Sequence, residues 1–210
     1  MNNKEFIIRL ETKEDYKEVE NLIRDAFWNV YRPGCFEHYL IHKLRDDKDF
    51  VKELDFVMVV NNKIIGQNIF VKTVIISNDG RKIPVLTMGP ICISPDQQRK
   101  GYGKTLLDYS LECASKLGYG AVLIEGNISF YGNSGFKYSK EYNIQYNDMP
   151  INSDTSFFLC KELIPGYLKD IEGTYITPKG YSVNKNEVDI FDKEFVKKKE
   201  LELPGQIFKE

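Results

Sequence analysis

A glycine-containing turn at residues 98–105 (QRKGYGKT) is the segment of this sequence best suited to chemistry. Two glycines let the backbone turn sharply and bring successive N–H groups close to a ligand, and a helical pattern follows at once. The positive end of a helix favours a phosphate or pyrophosphate, and Arg99, Lys100 and Lys104 add cationic donors. The third glycine of the dinucleotide motif G-x-G-x-x-G is missing. The turn therefore predicts an anion site, although a tight strand-to-helix turn without a ligand has the same pattern.

The elements around this turn follow from hydrophobic periodicity. Residues 56–60, 64–76 and 83–93 have strand patterns separated by turn residues, which predicts an antiparallel meander. Apolar residues at helical spacing then predict a helix at 105–117, and 121–124 is a short apolar strand. Strand, loop, helix and strand in this order form a right-handed crossover, so we expect the two flanking strands to be parallel.

The third strand of the meander is interrupted at Gly89-Pro90. A glycine followed by proline inside an apolar strand predicts a bulge where ladder pairing stops.

The rest of the chain predicts shorter elements. A strand at 5–10 precedes a helix that begins after Thr12, and a second helix is expected at 36–44. A helical turn at 128–133 should end at Gly135, and strands are expected at 142–146 and 157–163. We expect one main domain at 1–163. Residues 164–210 are too aromatic for a disordered tail, so we expect a strand-and-helix extension packed on the core.

Composition excludes several functional classes. With 29 basic and 31 acidic residues the net charge is -2, so there is no general basic field for a nucleic acid. No apolar run approaches the roughly 20 residues that span a bilayer, and no apolar signal region follows the N-terminus. The four cysteines are widely spaced and include no C-x-x-C pair, which indicates reduced thiols. We expect a cytoplasmic protein without nucleic-acid or membrane partners.

The motifs together resemble a known family. Gln98-x-x-Gly101-x-Gly103 after an interrupted strand is similar to motif A of the GNAT N-acetyltransferase superfamily. The resemblance continues at Asn127, Tyr131 and Gly135-Phe136 and covers residues 5–163 in strand and helix order. Segments 87–95 and 130–136 look most like the bacterial YhbS-like branch.

This resemblance implies a mixed α/β fold whose mostly antiparallel sheet contains one splayed parallel pair. Acetyl-CoA would be the cosubstrate, with its pantetheine arm filling the gap beside the broken strand and no metal involved. The residues expected to bind it are Ile91, Cys92, Ile93, Gln98, Arg99, Lys100, Gly101, Tyr102, Gly103, Lys104, Thr105, Asn127 and Tyr131.

Two residues are candidates for catalysis. By its offset from Gly135-Phe136, Tyr131 matches the family's general acid, which protonates the departing thiolate. The alternative is that Tyr131 only fills the core. Glu125, at the end of the strand beside the expected gap, is the candidate base, although strand-end carboxylates are more often simply solvated. A backbone N–H near Ile91 would stabilise the oxyanion.

Three further features have plainer interpretations. His38 and His42 lie four residues apart on a helix near the expected acceptor wall, but the Glu of H-E-x-x-H is missing, so we expect no metal site. Trp28 and Tyr31 either line the same wall or pack in the core. Cys92 is expected to be a small apolar filler, not a nucleophile.

The sequence thus predicts transfer of an acetyl group from acetyl-CoA to a primary amine, on a small molecule or a peptide, by direct attack. The alternative is a catalytically silent CoA-binding or regulatory module whose 164–210 segment contacts a partner. A structural protein without a ligand would require the charged glycine loop to be a coincidence. A homodimer is left open.

Overall fold

Nine strands form one sheet in the computed structural model, which describes residues 5–147, 149–150 and 153–207. The strands are β1 (Ile7–Leu10), β2 (Phe56–Val60), β3 (Lys63–Ser77), β4 (Lys82–Ile93), β5 (Ala121–Glu125), β6 (Lys137–Tyr138), β7 (Ile144–Tyr146), β8 (Phe158–Glu162) and β9 (Gly173–Tyr175). The helices are α1 (Tyr16–Phe27), α2 (Glu37–Leu44), α3 (Tyr102–Lys116), α4 (Ile128–Tyr131) and α5 (Lys185–Phe191). Among these residues, no helix is both long and apolar enough to cross a bilayer.

The strand order is β1-β2-β3-β4-β5-β8-β6, and β9 pairs with the far end of β3. Neighbours in this path are antiparallel except β4 and β5, which are parallel as the crossover through α3 requires. The predicted fold class is confirmed. A second parallel pair, β7 with β9, was not predicted.

The predicted bulge is also confirmed. The β3–β4 register pairs Phe70 with Met88 and Asn68 with Ile91, so Gly89 and Pro90 both face Ile69 alone. Gly89 has a φ of 124°, a backbone conformation that side chains with a Cβ rarely adopt.

The parallel pair β4–β5 is very short. Its register contains only Leu86 with Val122 and Thr87 with Leu123. Beyond Thr87, the β4 residues pair with β3 on one side and with no described strand on the other. The two strands therefore splay, and beyond Thr87 one edge of β4 has no neighbouring strand among the described residues.

Helices cover both faces of the sheet. α3 buries Leu106, Leu107, Leu111 and Ala114 in one core cluster, and α1 and α2 bury Val19, Ile23, Ile41 and Leu44 in the other. α3 begins at Tyr102, three residues before the predicted start, because Gly101 ends the turn in the left-handed region with a φ of 90°. The other elements for which the sequence predicts bounds start and end within about three residues of them, and β6, β9 and α5 had no predicted bounds.

Described residues of the C-terminal segment contact the sheet and the first two helices. Tyr175 on β9 is buried with Ile75 and Val85, and Phe191 on α5 and Phe195 are buried against His38. A two-bond ion pair joins the segment to α1: Arg24, only 2% exposed, donates to Asp192 over 2.6 and 2.8 Å. Residues 208–210 lie outside the described part.

Candidate functional site

The glycine turn forms the N-terminal end of α3. Gly101 is the N-cap residue, Arg99 precedes it with a φ of 59°, and the first cap bond runs from Thr105 N–H to the Gly101 carbonyl over 3.1 Å. The first turn of any helix leaves N–H groups without intrahelical acceptors. With the helix dipole, this arrangement suits an anion.

The three cations of the turn differ in their partners. Lys100 Nζ donates to the Asp96 carbonyl (2.7 Å) and to Gln97 Oε1 (3.0 Å), and Lys104 pairs with Asp108 one helical turn on. Among the described residues, Arg99 has no ion-pair partner and is exposed. Arg99 is therefore the cation of the turn that is available to an anionic ligand.

Gln98 ties the turn to the end of β4. Its side-chain amide donates to the Ile93 carbonyl over 3.0 Å. The amide is thus used to hold the turn beside the last residue of the broken strand.

Gly103 brings the turn, β4 and α4 together. A Cβ at this position would lie 3.5 Å from the Phe130 ring and 3.6 Å from Ile93, which is ordinary van der Waals contact. Phe130, 41% exposed, therefore covers the start of α3. The sequence analysis gave Phe130 no role in the site, although its position next to the candidate acid Tyr131 could have indicated one.

Tyr131 lies on α4, which Asn127 caps. The Asn127 Oδ1 accepts from Ser129 N–H (2.9 Å) and Ser129 Oγ (2.7 Å). The Tyr131 ring lies so close to Gly126 that a Cβ there would be 2.3 Å from it, so glycine is required at 126. Burial raises the pKa of Tyr131 well above that of a free phenol, and the nearby Tyr31 phenol raises it further. Tyr131 therefore stays protonated at neutral pH.

A cleft of about 710 Å³ opens next to the end of β5, where β4 and β5 have separated. Its lining residues are Tyr31, Arg32, Phe36, Glu37, Leu40, Glu125, Gly126, Asn127, Ile128, Tyr138, Ser156, Phe157, Tyr181, Val183 and Ile207. The volume lies in the range of small-molecule sites.

Glu125 lies in this cleft and is not simply solvated. Tyr146 Oη donates to Glu125 Oε1 over 2.5 Å, and Thr177 Oγ1 donates to Tyr146 Oη over 3.3 Å. Burial and the bond to Glu125 raise the pKa of Tyr146 to about 12. Tyr146 thus remains a donor that orients one carboxylate oxygen, and no described donor reaches the other oxygen.

The C-terminal segment also reaches the cleft. Tyr181 lines it, and the Tyr181 hydroxyl donates to the carbonyl of Gly89 in the bulge. Burial raises the pKa of Tyr181 well above its ordinary value, so the hydroxyl remains a donor.

Other candidates lie elsewhere. His38, expected at the acceptor wall or the surface, is instead fully buried with Nε2 3.1 Å from Asp192, whereas His42 Nδ1 is 3.0 Å from Glu20. The two rings contact different acids, and no group of three potential metal ligands occurs in the described part of the chain. Tyr31 lines the cleft.

Trp28 and Cys92 lie outside the cleft lining. Trp28 donates to the Lys199 carbonyl over 3.0 Å, so it packs against the C-terminal segment. Burial raises the pKa of the Cys92 thiol to about 12, which leaves it protonated and unreactive, as expected of an apolar filler.

Residues 52–138 match the family model described as an acetyltransferase (GNAT) domain. A search of curated proteins finds no match.

Several solved structures have the same fold. The Escherichia coli GNAT family N-acetyltransferase YhbS, in complex with CoA, has 20% identity and a TM-score of 0.73 over 86% of this chain and 94% of its own. A Brucella melitensis GNAT family acetyltransferase in complex with acetyl-CoA has 20% identity and a TM-score of 0.67 over 86% and 100%. The Escherichia coli ribosomal-protein-S18-alanine N-acetyltransferase has 16% identity and a TM-score of 0.54 over 76% and 95%.

Proposed function

We propose that this protein transfers the acetyl group of acetyl-CoA to a primary amine, because residues 52–138 match the GNAT acetyltransferase domain model and the chain has the fold of GNAT acetyltransferases. The observation that carries the proposal is the continuity of three features. Gln98 joins the anion turn to the Ile93 carbonyl at the end of β4, and Tyr181, which lines the cleft with Glu125, bonds to the Gly89 carbonyl on the same strand.

Each feature suits one part of acetyl-CoA. The turn with Arg99 and the N-terminus of α3 takes the pyrophosphate. The backbone of Ile91, Cys92 and Ile93 offers N–H and C=O groups to the two pantetheine amides, as a neighbouring strand would. The acetyl end then lies at the entrance to the cleft, where an acceptor amine can approach. The complexes of YhbS with CoA and of the Brucella protein with acetyl-CoA support this assignment.

The reaction is a direct attack. The amine nitrogen forms a bond to the thioester carbonyl carbon, and a backbone N–H near Ile91 stabilises the oxyanion. Collapse of this intermediate breaks the C–S bond and gives an amide and the CoA thiolate.

Three proton transfers accompany these steps. An alkyl ammonium has a pKa of about 10.4, so before attack the acceptor loses one proton to Glu125, directly or through water. After the C–N bond forms, the nitrogen loses a second proton to solvent, which leaves a neutral amide. Tyr131, which burial keeps protonated, donates its proton to the thiolate and regains one from solvent.

Titration of the purified protein with acetyl-CoA, CoA and dephospho-CoA, followed by thiol-release assays over a set of amines, tests the proposal. We expect binding with a Kd in the micromolar range, on the order of -8 kcal/mol, together with turnover on at least one amine. Binding without turnover would favour the silent CoA-binding module. Absence of binding would contradict the proposed function.

A further inference from the structure

The cleft that contains Glu125 has an unusual balance of lining groups. Five of its fifteen lining residues are aromatic, from four parts of the fold: Tyr31, Phe36, Tyr138, Phe157 and Tyr181. Four more are aliphatic: Leu40, Ile128, Val183 and Ile207. Among the described residues of the lining, Asn127 and Ser156 are the only neutral polar side chains apart from the tyrosine hydroxyls. Such walls bind an apolar body well and a polyhydroxylated one poorly.

The charged residues that the structure describes in this lining leave one carboxylate in excess. Arg32 and Glu37 lie in the same lining and have opposite charges. The Arg32 guanidinium stacks 3.9 Å from the Phe36 ring centroid, and Glu37 Oε2 accepts from Phe36 N–H over 3.0 Å, so both belong to the wall at the start of α2. The remaining charged residue is Glu125, whose carboxylate accepts a hydrogen bond from the Tyr146 hydroxyl.

From this lining we infer the acceptor class: a monocationic primary amine on an apolar, preferably aromatic, body. The inference rests on the proposed function and narrows its substrate. Glu125 receives the ammonium, and the aromatic rings surround the body and attract the cation through their π faces.

Two other classes of amine fit less well. A diamine or polyamine would place a second ammonium against the apolar walls, where desolvation of an unpaired charge is costly. An α-amino acid would place its carboxylate within about 3–4 Å of the ammonium and so beside Glu125, where like charges repel.

The test is a comparison of matched amines on the full chain at saturating acetyl-CoA. We expect kcat/KM for 2-phenylethylamine to exceed those for L-phenylalanine, 1,4-diaminobutane, spermidine and glucosamine by at least about tenfold, or 1.4 kcal/mol. Replacement of one ring, Tyr31→Leu, should lower this preference while the Kd for acetyl-CoA stays unchanged. Tyr109→Leu, the same change at a tyrosine outside the cleft that is likewise 40% exposed, is the control variant and should leave the preference unchanged.

The highest kcat/KM for a diamine, an amino acid or an amino sugar would overturn the inference and leave the proposed transferase intact. If no amine is turned over, titration of the CoA-bound protein decides the matter. Binding of 2-phenylethylamine tighter than that of 1,4-diaminobutane supports the inference, and equal, weaker or undetectable binding overturns it. Absence of acetyl-CoA binding in the same titrations would instead contradict the proposed function, so the two failures are distinguishable.

Discussion

The hydroxyl of Tyr181 donates a hydrogen bond to the carbonyl of Gly89, and the two residues are 92 positions apart in the chain. The bulge leaves Gly89 without a partner in the β3 register, so a side chain from the C-terminal segment occupies the edge of β4 where β5 has departed. This bond fixes the orientation of the peptide that precedes Pro90 and Ile91.

Tyr181→Phe should therefore weaken acetyl-CoA binding about three- to tenfold, because the backbone proposed to hold pantetheine loses its support. It should also lower the free energy of unfolding by about 1–2 kcal/mol, since the Gly89 carbonyl loses its donor. Titration calorimetry and urea unfolding measure the two effects.

Tyr167→Phe is the matched control. Tyr167 belongs to the same C-terminal segment and donates to another β4 carbonyl, that of Pro84, over 2.7 Å. The Tyr167→Phe variant should lose about as much stability as Tyr181→Phe and keep the acetyl-CoA affinity of the parent protein. Equal affinity losses in both variants would show that Tyr181 acts only through general stability.

Gly103 is where steric and electrostatic effects on the anion turn can be separated. Gly103→Ala places a methyl group in ordinary contact with Phe130 and Ile93 and should leave affinity within about threefold, with a small gain in helix stability. Gly103→Glu adds a negative charge where the pyrophosphate is proposed to bind and should weaken acetyl-CoA binding at least about tenfold. Similar acetyl-CoA affinities of the two variants would contradict the assignment of the pyrophosphate to this turn.

Tyr131→Phe should lower kcat by roughly 10²–10⁴-fold and leave the Kd for acetyl-CoA unchanged, because only the proton donor is removed. The pKa of Tyr131 is raised, so the phenol stays protonated and kcat should not fall on the alkaline side up to about pH 10. Tyr138→Phe removes the hydroxyl of a tyrosine that lines the cleft; it is the control and should retain kcat. Full activity of Tyr131→Phe would contradict the acid assignment and favour the alternative that Tyr131 only fills the core.

His38 should make the fold sensitive to acid. Burial lowers the pKa of His38 to about 4 against the opposing effect of Asp192, and the charges of Arg24 and Lys17 lower it further. The unfolded chain takes up a proton on this ring below about pH 6.5 and the folded chain only near 4, so stability falls as the pH decreases through that window.

Urea unfolding at pH 7 and pH 4.5 should show a loss about 1–3 kcal/mol larger in the parent protein than in His38→Phe. The replacement keeps an aromatic ring among Phe191 and Phe195 and removes the titration. An identical pH dependence in both proteins would contradict the assignment.

The sequence predicts the meander, the bulge and the crossover because each follows from local patterns. The apolar alternation that ends at Val60 and the Gly89-Pro90 pair determine strand limits without knowledge of distant residues. The start of α3 was missed by three residues because helix periodicity does not report the left-handed Gly101.

The contacts of the candidate site could not be predicted in the same way. Tyr146 reaches Glu125 across 21 residues, and nothing local to either marks the partner. His38 has the spacing of a surface histidine on an amphipathic helix, yet α5 and Phe195 cover it from the other end of the chain. The strand β9 has only three residues, too few to show a period of two, so its pairing with β7 could not be predicted.

The ion pair between Arg24 and Asp192 limits how this protein can evolve. Arg24 is almost wholly enclosed, and its second partner, the Val196 carbonyl, also comes from the C-terminal segment. Loss of the Asp192 carboxylate from an otherwise intact segment would leave this guanidinium buried without its ionic partner, which typically costs about 3–5 kcal/mol. Residues 24 and 192 should therefore be inherited together.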